Sequence, residues 1–208
     1  MVKVFYVCSY GGCGSTMLTK TLAKYGRVFH VHTRFPPKRL QHITQEQFNG
    51  VEVAPESLKN YYVIYLYRNP VKAILSRFST DNPEFNALHL DHVGCNKNIT
   101  VDAVISQSKD LYQFQQFYDN YTKPNNRNYN VYCVKYEDMF ERQSDLSKLF
   151  NIGPLNLVKK ETDHSESERK YAQLYTIYHD LIQQMAKNDF IFIQKGKPPL
   201  VLSKLFFT

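Results

Sequence analysis

Tryptophan is missing from this chain, and cysteine is scarce: Cys8, Cys13, Cys95 and Cys133 are the full set, with no C-x-x-C pair among them. That spacing suggests neither a zinc site nor a disulfide framework. No stretch approaches the roughly 20 consecutive apolar residues that a membrane-crossing helix needs. A signal peptide is not expected either, because the first apolar run is short, follows a single Lys and passes into glycines. The cytoplasm is therefore the default location. Acidic residues are outnumbered, 19 against 26 Lys and Arg, for a net charge of +7 and a pI near 9.1. Such a balance attracts anions. The basic residues are scattered, with no dense run and no nucleic-acid-binding motif, so an anionic small molecule is expected rather than nucleic acid.

What is abundant is aromatic: Tyr 16 and Phe 14 in 208 residues. This argues against disorder, and the length suits one domain with a sizeable core. The most informative stretch is Val4 to Leu18. Val4–Cys8 is unbroken apolar sequence, as in a strand buried on both faces of a parallel sheet. Gly11, Gly12 and Gly14 follow around Cys13, and Ser15 and Thr16 open a segment of helical period to Lys24. Strand, glycine loop and helix N-terminus aim several backbone N–H groups and the positive end of a helix dipole at one point, a cradle for phosphate or sulfate. The same glycines also suit a tight turn that binds nothing. Neither the Gly-Lys-Ser/Thr of nucleoside-triphosphate loops nor Gly-x-Gly-x-x-Gly is present. Cys13 reads either as a thiol activated by the helix start or as a small residue that fits.

Further along, Gly26 suits a helix C-cap, and residues 27–32 read as a strand carrying His30 and His32 on one face, with Arg34 just beyond. A histidine pair at a strand's carboxyl end lies where open α/β sheets place their ligand crevices. Residues 38–60 read as a polar excursion with a short helix near Thr44–Asn49. Tyr61–Tyr67 is a β-prone strand running into Arg68-Asn69-Pro70, where Pro70 fits the first position of a helix reaching Ser79. Ser76, two helical turns beyond Arg68, can reach the same bound group. Residues 80–100 show no period. A metal reading of His89, Asp91, His92 and Cys95 matches no established ligand spacing, and a mobile, substrate-facing polar loop is preferred. The apolar pattern predicts a long helix over 101–121, a strand over 130–136 ending in Glu137-Asp138-Met139, a short helix to Phe150, a helix over 171–185 and a strand near 190–193. The apolar C-terminus suits packing on the domain or a dimer contact. Strand followed by helix, repeated, predicts α/β architecture: a central parallel sheet of four to five strands with helices on both faces.

Three motifs in order resemble the sulfotransferases that use 3′-phosphoadenosine 5′-phosphosulfate. The stretch from Ser9 through Met17 resembles their 5′-phosphosulfate loop. Tyr67-Arg68-Asn69-Pro70 with Ser76 resembles their 3′-phosphate motif, spacing included, and Val134 to Met139 is similar to their later strand ending in Tyr-Glu-Asp-Leu. His32-Thr33-Arg34-Phe35-Pro36 is similar to the segment that keeps the catalytic base, which falls on His32 or Arg34. The resemblance spans roughly residues 4–150 and implies a three-layer P-loop-type fold. Gly11, Gly12, Cys13, Gly14, Ser15, Thr16, Arg68 and Ser76 would hold the donor, and a hydroxylated acceptor, a glycan or small molecule, would take the sulfuryl group without a metal. One position departs from the pattern: members normally carry Lys or Arg where this chain has Gly12, and that cation stabilises the charge developing on the leaving phosphate. Arg34, Lys38 and Lys20 are the candidate substitutes. Two other readings follow: a catalytically inactive nucleotide-binding or scaffold protein, which Gly12 favours, and a P-loop phosphotransferase, against which the absent Gly-Lys-Ser/Thr counts.

Overall fold

In the computed structural model, which describes residues 2–43, 48–53, 55–78, 82–124, 126–160 and 163–197, the first apolar run forms β1 (Lys3–Cys8) and the glycines lead into α1 (Ser15–Leu22). Then come β2 (Gly26–Val31), the antiparallel pair β3 (Gln41–Ile43) and β4 (Phe48–Glu52), a 3-10 turn (Pro55–Asn60) and β5 (Tyr61–Tyr67). Next are α2 (Pro70–Phe78), α3 (Pro83–His92), α4 (Val101–Gln107), α5 (Phe114–Thr122), β6 (Val131–Lys135) and α6 (Gln143–Phe150). Three short helices, α7 (Ser165–Lys170), α8 (Gln173–Ile177) and α9 (His179–Ala186), precede β7 (Ile191–Gln194). No helix among the described residues is long and apolar enough to cross a membrane.

The main sheet is mixed, with order β2-β1-β5-β6-β7. Its first four strands are parallel, as expected of continuous apolar runs. The last strand corrects the all-parallel expectation, because β7 pairs antiparallel to β6 with Cys133 opposite Phe192. The cause is where the chain enters. Lys135, at the carboxyl end of β6, donates its Nζ to the Asn188 carbonyl at 2.6 Å. The chain thus leaves α9 at that rim and can only run back down the edge.

Alternation along β5 sends its aromatics to opposite faces. Tyr62 stacks on Phe5 at 5.3 Å and meets Phe150 of α6 edge-on at 5.1 Å. Tyr65, on the other face, stacks on Tyr121 of α5 at 4.5 Å, while Tyr67 meets Tyr118 at 5.6 Å. Helices therefore flank both faces, and aromatic pairs of this kind add about 0.5–1.5 kcal/mol each beyond their burial.

Several boundaries differ from those expected. Gly26 opens β2 rather than capping α1, whose C-cap is Ala23. Residues 48–52 form β4 where a short helix near Thr44–Asn49 was expected, and residues 44–47 lie outside the described residues. The stretch 80–100 holds α3 rather than a loop: Asn82 Oδ1 accepts from Phe85 N at 3.1 Å and Pro83 fills the first turn. The helix expected over 101–121 is broken. Ser108 adopts φ 49° after α4, and the Asp110 carboxylate accepts from Phe114 N at 3.1 Å and Gln115 N at 2.9 Å, starting α5 afresh. The helix expected over 171–185 is likewise divided, at Tyr178 between α8 and α9. The apolar C-terminus beyond residue 197, expected above to pack on the domain or form a dimer contact, lies outside the described residues.

Candidate functional site

The chain goes from β1 to β2 on one side and later to β5 on the other side of β1. The crevice outside the carboxyl ends of β1 and β5 is therefore the topological switch point, where open α/β sheets bind ligands. The structure has a cleft of about 800 Å³ there. Gly11, Gly12, Gly14, Ser15 and Thr16 line it from β1, His30 and His32 from β2, and Arg68 and Ser76 from β5 and α2.

The loop's shape follows from its glycines, since Gly11, Gly12 and Gly14 take φ of 115°, 67° and 73°. At Gly12 a β-carbon would stand 2.3 Å from the Ala73 carbonyl oxygen of α2. The loop lies against backbone there, and no side chain fits. Among the described residues, no N–H from Gly11 to Thr16 donates to a protein acceptor, so a row of donors opens on the cleft at the start of α1. Cys13 is buried, outside the cleft lining, and bonded to the Gly11 carbonyl at 3.1 Å. Burial pushes its thiol up to about 12, so it is not an activated nucleophile.

Arg68 is oriented by three neighbours. Its Nη1 donates to the Gly12 carbonyl at 2.9 Å, and its guanidinium lies 4.5 Å over the Tyr136 ring. The next peptide N–H, that of Asn69, donates to Glu137 Oε1 at 2.9 Å. Asn69 in turn caps α2 through Val71 N at 3.0 Å. The Tyr136-Glu137 pair after β6 thus holds the strand end that presents Arg68. Arg68 Nε is buried and has no acceptor among the described residues, and a buried donor without a partner costs about 1–3 kcal/mol.

Three imidazoles crowd the opposite wall. The His30 and His32 rings lie 4.3 Å apart, and His32 and His89 5.2 Å apart. His32 Nδ1 is 2.9 Å from the Ser9 carbonyl oxygen, which can only accept, so Nδ1 carries the proton and Nε2 is left with a lone pair. His89 Nε2 donates to the Tyr10 carbonyl at 2.6 Å by the same reasoning. The Ser9 hydroxyl donates to Ser15 Oγ at 2.9 Å, which turns the Ser15 proton toward His30 Nε2 at 2.8 Å. All three histidines are held below their ordinary value. Burial leads in each case, bringing His30 to about 4 and His89 to about 3, with Arg77 adding to the shift at His32 and His89. Among the described residues no group of His, Cys, Asp and Glu is placed to hold a metal ion.

His89 gives the fold an acid limit. It is 7% exposed and neutral when folded, but binds a proton near pH 6.5 when unfolded. The unfolded state therefore holds more protons between about pH 6.5 and 3, and stability falls as pH drops through that window, by up to about 1.4 kcal/mol per pH unit. His30 is open to solvent on one side, so its contribution is screened. Denaturant titrations at pH 7, 6 and 5 are expected to show this slope and to lose about one proton's worth of it in His89→Gln. An unchanged slope would refute the assignment.

Other members of the cleft were not assigned to it by the sequence reading, which set His89 and His92 in a substrate-facing stretch without a role. Phe85, Leu88, His89 and His92 come from α3, Arg77 from α2, and Lys159, Lys160, Asp163 and His164 from the segment after α6. With Arg68, four lysines and arginines thus line the cleft against one carboxylate, Asp163. Arg34 is not brought in, because its Nε donates to the Val93 carbonyl at 3.0 Å and Nη2 to the Gly94 carbonyl, bracing the end of α3. Lys20 and Lys38 are exposed outside the cleft. Compared with known proteins, the sequence matches no family model and no curated protein.

Proposed function

We propose that this cleft binds 3′-phosphoadenosine 5′-phosphosulfate and transfers its sulfuryl group to an acceptor hydroxyl, on a P-loop-type fold. The observation that carries the reading is that the open loop 11–16 and Arg68, whose buried Nε lacks an acceptor among the described residues, line the same cleft. Backbone N–H groups and a guanidinium in one cleft suit a ligand with two anionic groups. In this reading residues 11–16 hold the 5′ side, and Arg68 and Ser76 hold the 3′-phosphate. His32 Nε2 takes the acceptor proton as the acceptor oxygen bonds to sulfur, and the bond from sulfur to the phosphate oxygen breaks to release adenosine 3′,5′-bisphosphate. The exposed rings and chains of Phe85 and Leu88 offer an apolar wall beside His89 for the acceptor.

Calorimetry tests the reading. Adenosine 3′,5′-bisphosphate is expected to bind without a metal and more tightly than ATP with Mg²⁺. Arg68→Gln is expected to weaken that binding by about 1.5–3 kcal/mol, the worth of a hydrogen bond to a charged group. Preference for ATP with Mg²⁺ would point instead to phosphoryl transfer. Binding without transfer to any acceptor would favour the inactive nucleotide-binding protein, a reading that rests on the missing cation at Gly12.

A further inference from the structure

Arg77 is 8% exposed, yet no carboxylate among the described residues pairs with it. Its fork is spent on neutral groups: Nη1 donates to Asn86 Oδ1 and Nη2 to the Phe85 carbonyl, each at 2.8 Å. The Phe85 ring lies 4.0 Å from the guanidinium carbon. Arginine cannot shed its proton to escape burial, and an unpaired buried charge is costly unless a counter-ion arrives. The side chain also stands beside the glycine loop, with its Cδ 3.7 Å from the point where a β-carbon on Gly11 would be. Gly12, meanwhile, leaves no room for a cation on the loop itself.

We propose that Arg77 is the cation that binds the 5′ anionic group in this cleft, doing from α2 what a loop lysine or arginine does elsewhere, a role that rests on the nucleotide reading above for the ligand's identity. The unbound protein keeps the guanidinium in place through α3, so the charge is positioned before the ligand enters. Arg68 and Arg77 then divide the nucleotide between them, the 3′ end to the first and the 5′ end to the second.

The division is testable with adenosine 5′-monophosphate, adenosine 3′-monophosphate and adenosine 3′,5′-bisphosphate by calorimetry, alongside the shift in melting temperature given by inorganic sulfate. Arg77→Gln is expected to weaken the 5′-monophosphate and the bisphosphate about 10- to 100-fold, the range of a lost charge-assisted bond, and to leave the 3′-monophosphate within about twofold. Arg68→Gln is expected to do the reverse. Because Arg77 also braces α3, Asn86→Asp is the companion variant: it keeps the acceptor atom, supplies a carboxylate, and is expected to raise the melting temperature while weakening the 5′-monophosphate. A purely structural Arg77 would leave that affinity unchanged in Asn86→Asp, which overturns the proposal. If Arg68→Gln weakens the 3′-monophosphate while Arg77→Gln and Asn86→Asp leave the 5′-monophosphate alone, the two-anion reading stands and the role of Arg77 falls. If no nucleotide binds but sulfate stabilises the native chain and not Arg77→Gln, the nucleotide reading falls and Arg77 remains an anion site. If sulfate stabilises neither, both fall.

Discussion

Gly12→Lys, the substitution that would give the loop the cation sulfotransferases normally carry there, is expected to damage this protein rather than improve it. The obstacle is at Cβ, before the lysine's charge is reached. A β-carbon at residue 12 would meet the Ala73 carbonyl oxygen at 2.3 Å, and φ is +67°. A left-handed conformation costs a residue other than glycine about 1–2 kcal/mol, and forcing atoms into a packed interior costs about 1–3 kcal/mol more. The expected loss is about 2–5 kcal/mol, a large part of the about 5–15 kcal/mol that holds an ordinary domain together. Ala73 cannot give way alone, because its amide donates to the Asn69 carbonyl at 2.9 Å in the first turn of α2. Urea midpoints for Gly12→Ala and Gly12→Lys are expected to fall nearly equally, since both carry the offending carbon. Wild-type stability in either variant would mean the loop does not lie against α2 as described.

His32→Gln is expected to lower sulfuryl transfer by about 10²- to 10⁴-fold, the usual contribution of a positioned general base, while leaving bisphosphate affinity near that of the native chain. The argument is one of tautomers. With Nδ1–H committed to the Ser9 carbonyl, Nε2 is the atom left to accept a proton. Burial, with Arg77 and His92 nearby, keeps His32 below the usual imidazole value. In the proposed transfer this favours the unprotonated base, and the loss of rate on acidification is expected at lower pH than an ordinary imidazole would give. A rate that rises on acidification, or a variant that transfers normally, would remove His32 from the role. His30→Gln is the informative neighbour, because it leaves the Ser9 contact of His32 intact and removes only the acceptor for Ser15.

Much of this could be read from the residues in order. The apolar runs at 4–8, 61–67 and 131–135 are buried strands, and their continuity announces a parallel sheet. The glycine loop, His32, Arg68 and Ser76 do share one cleft, because parallel strands deliver their carboxyl ends to one rim. Other features were hidden for physical reasons. α3 buries little beyond His89 and Leu90, so it has no apolar period, though Asn82-Pro83-Glu84 is a helix start that could have been recognised. The break at residues 108–113 was masked by apolar residues on either side, Val104 and Ile105 before it and Phe114 and Phe117 after it, although Asp110 flagged it. Arg34 looked poised on sequence position alone, but the carbonyls ending α3 claim it. Lys159, Lys160 and His164 enter the cleft from far along the chain, a proximity that no local pattern encodes.

The bond from Asn69 N to Glu137 Oε1 joins residues 68 positions apart. Closing so long a loop carries an entropic cost that local turns do not, and chains dominated by such contacts fold more slowly than those built on local ones. β1, its glycine loop and β2 can assemble from the first 31 residues, but Arg68 gains its bracing only after β6 has docked and placed Tyr136 and Glu137 beside it. Half of the cleft thus depends on contacts within the first 31 residues, and half on contacts that span more than 60 positions. Partly folded chains would present the backbone cradle without its guanidinium partner, so a ligand that needs both stabilises only the finished molecule.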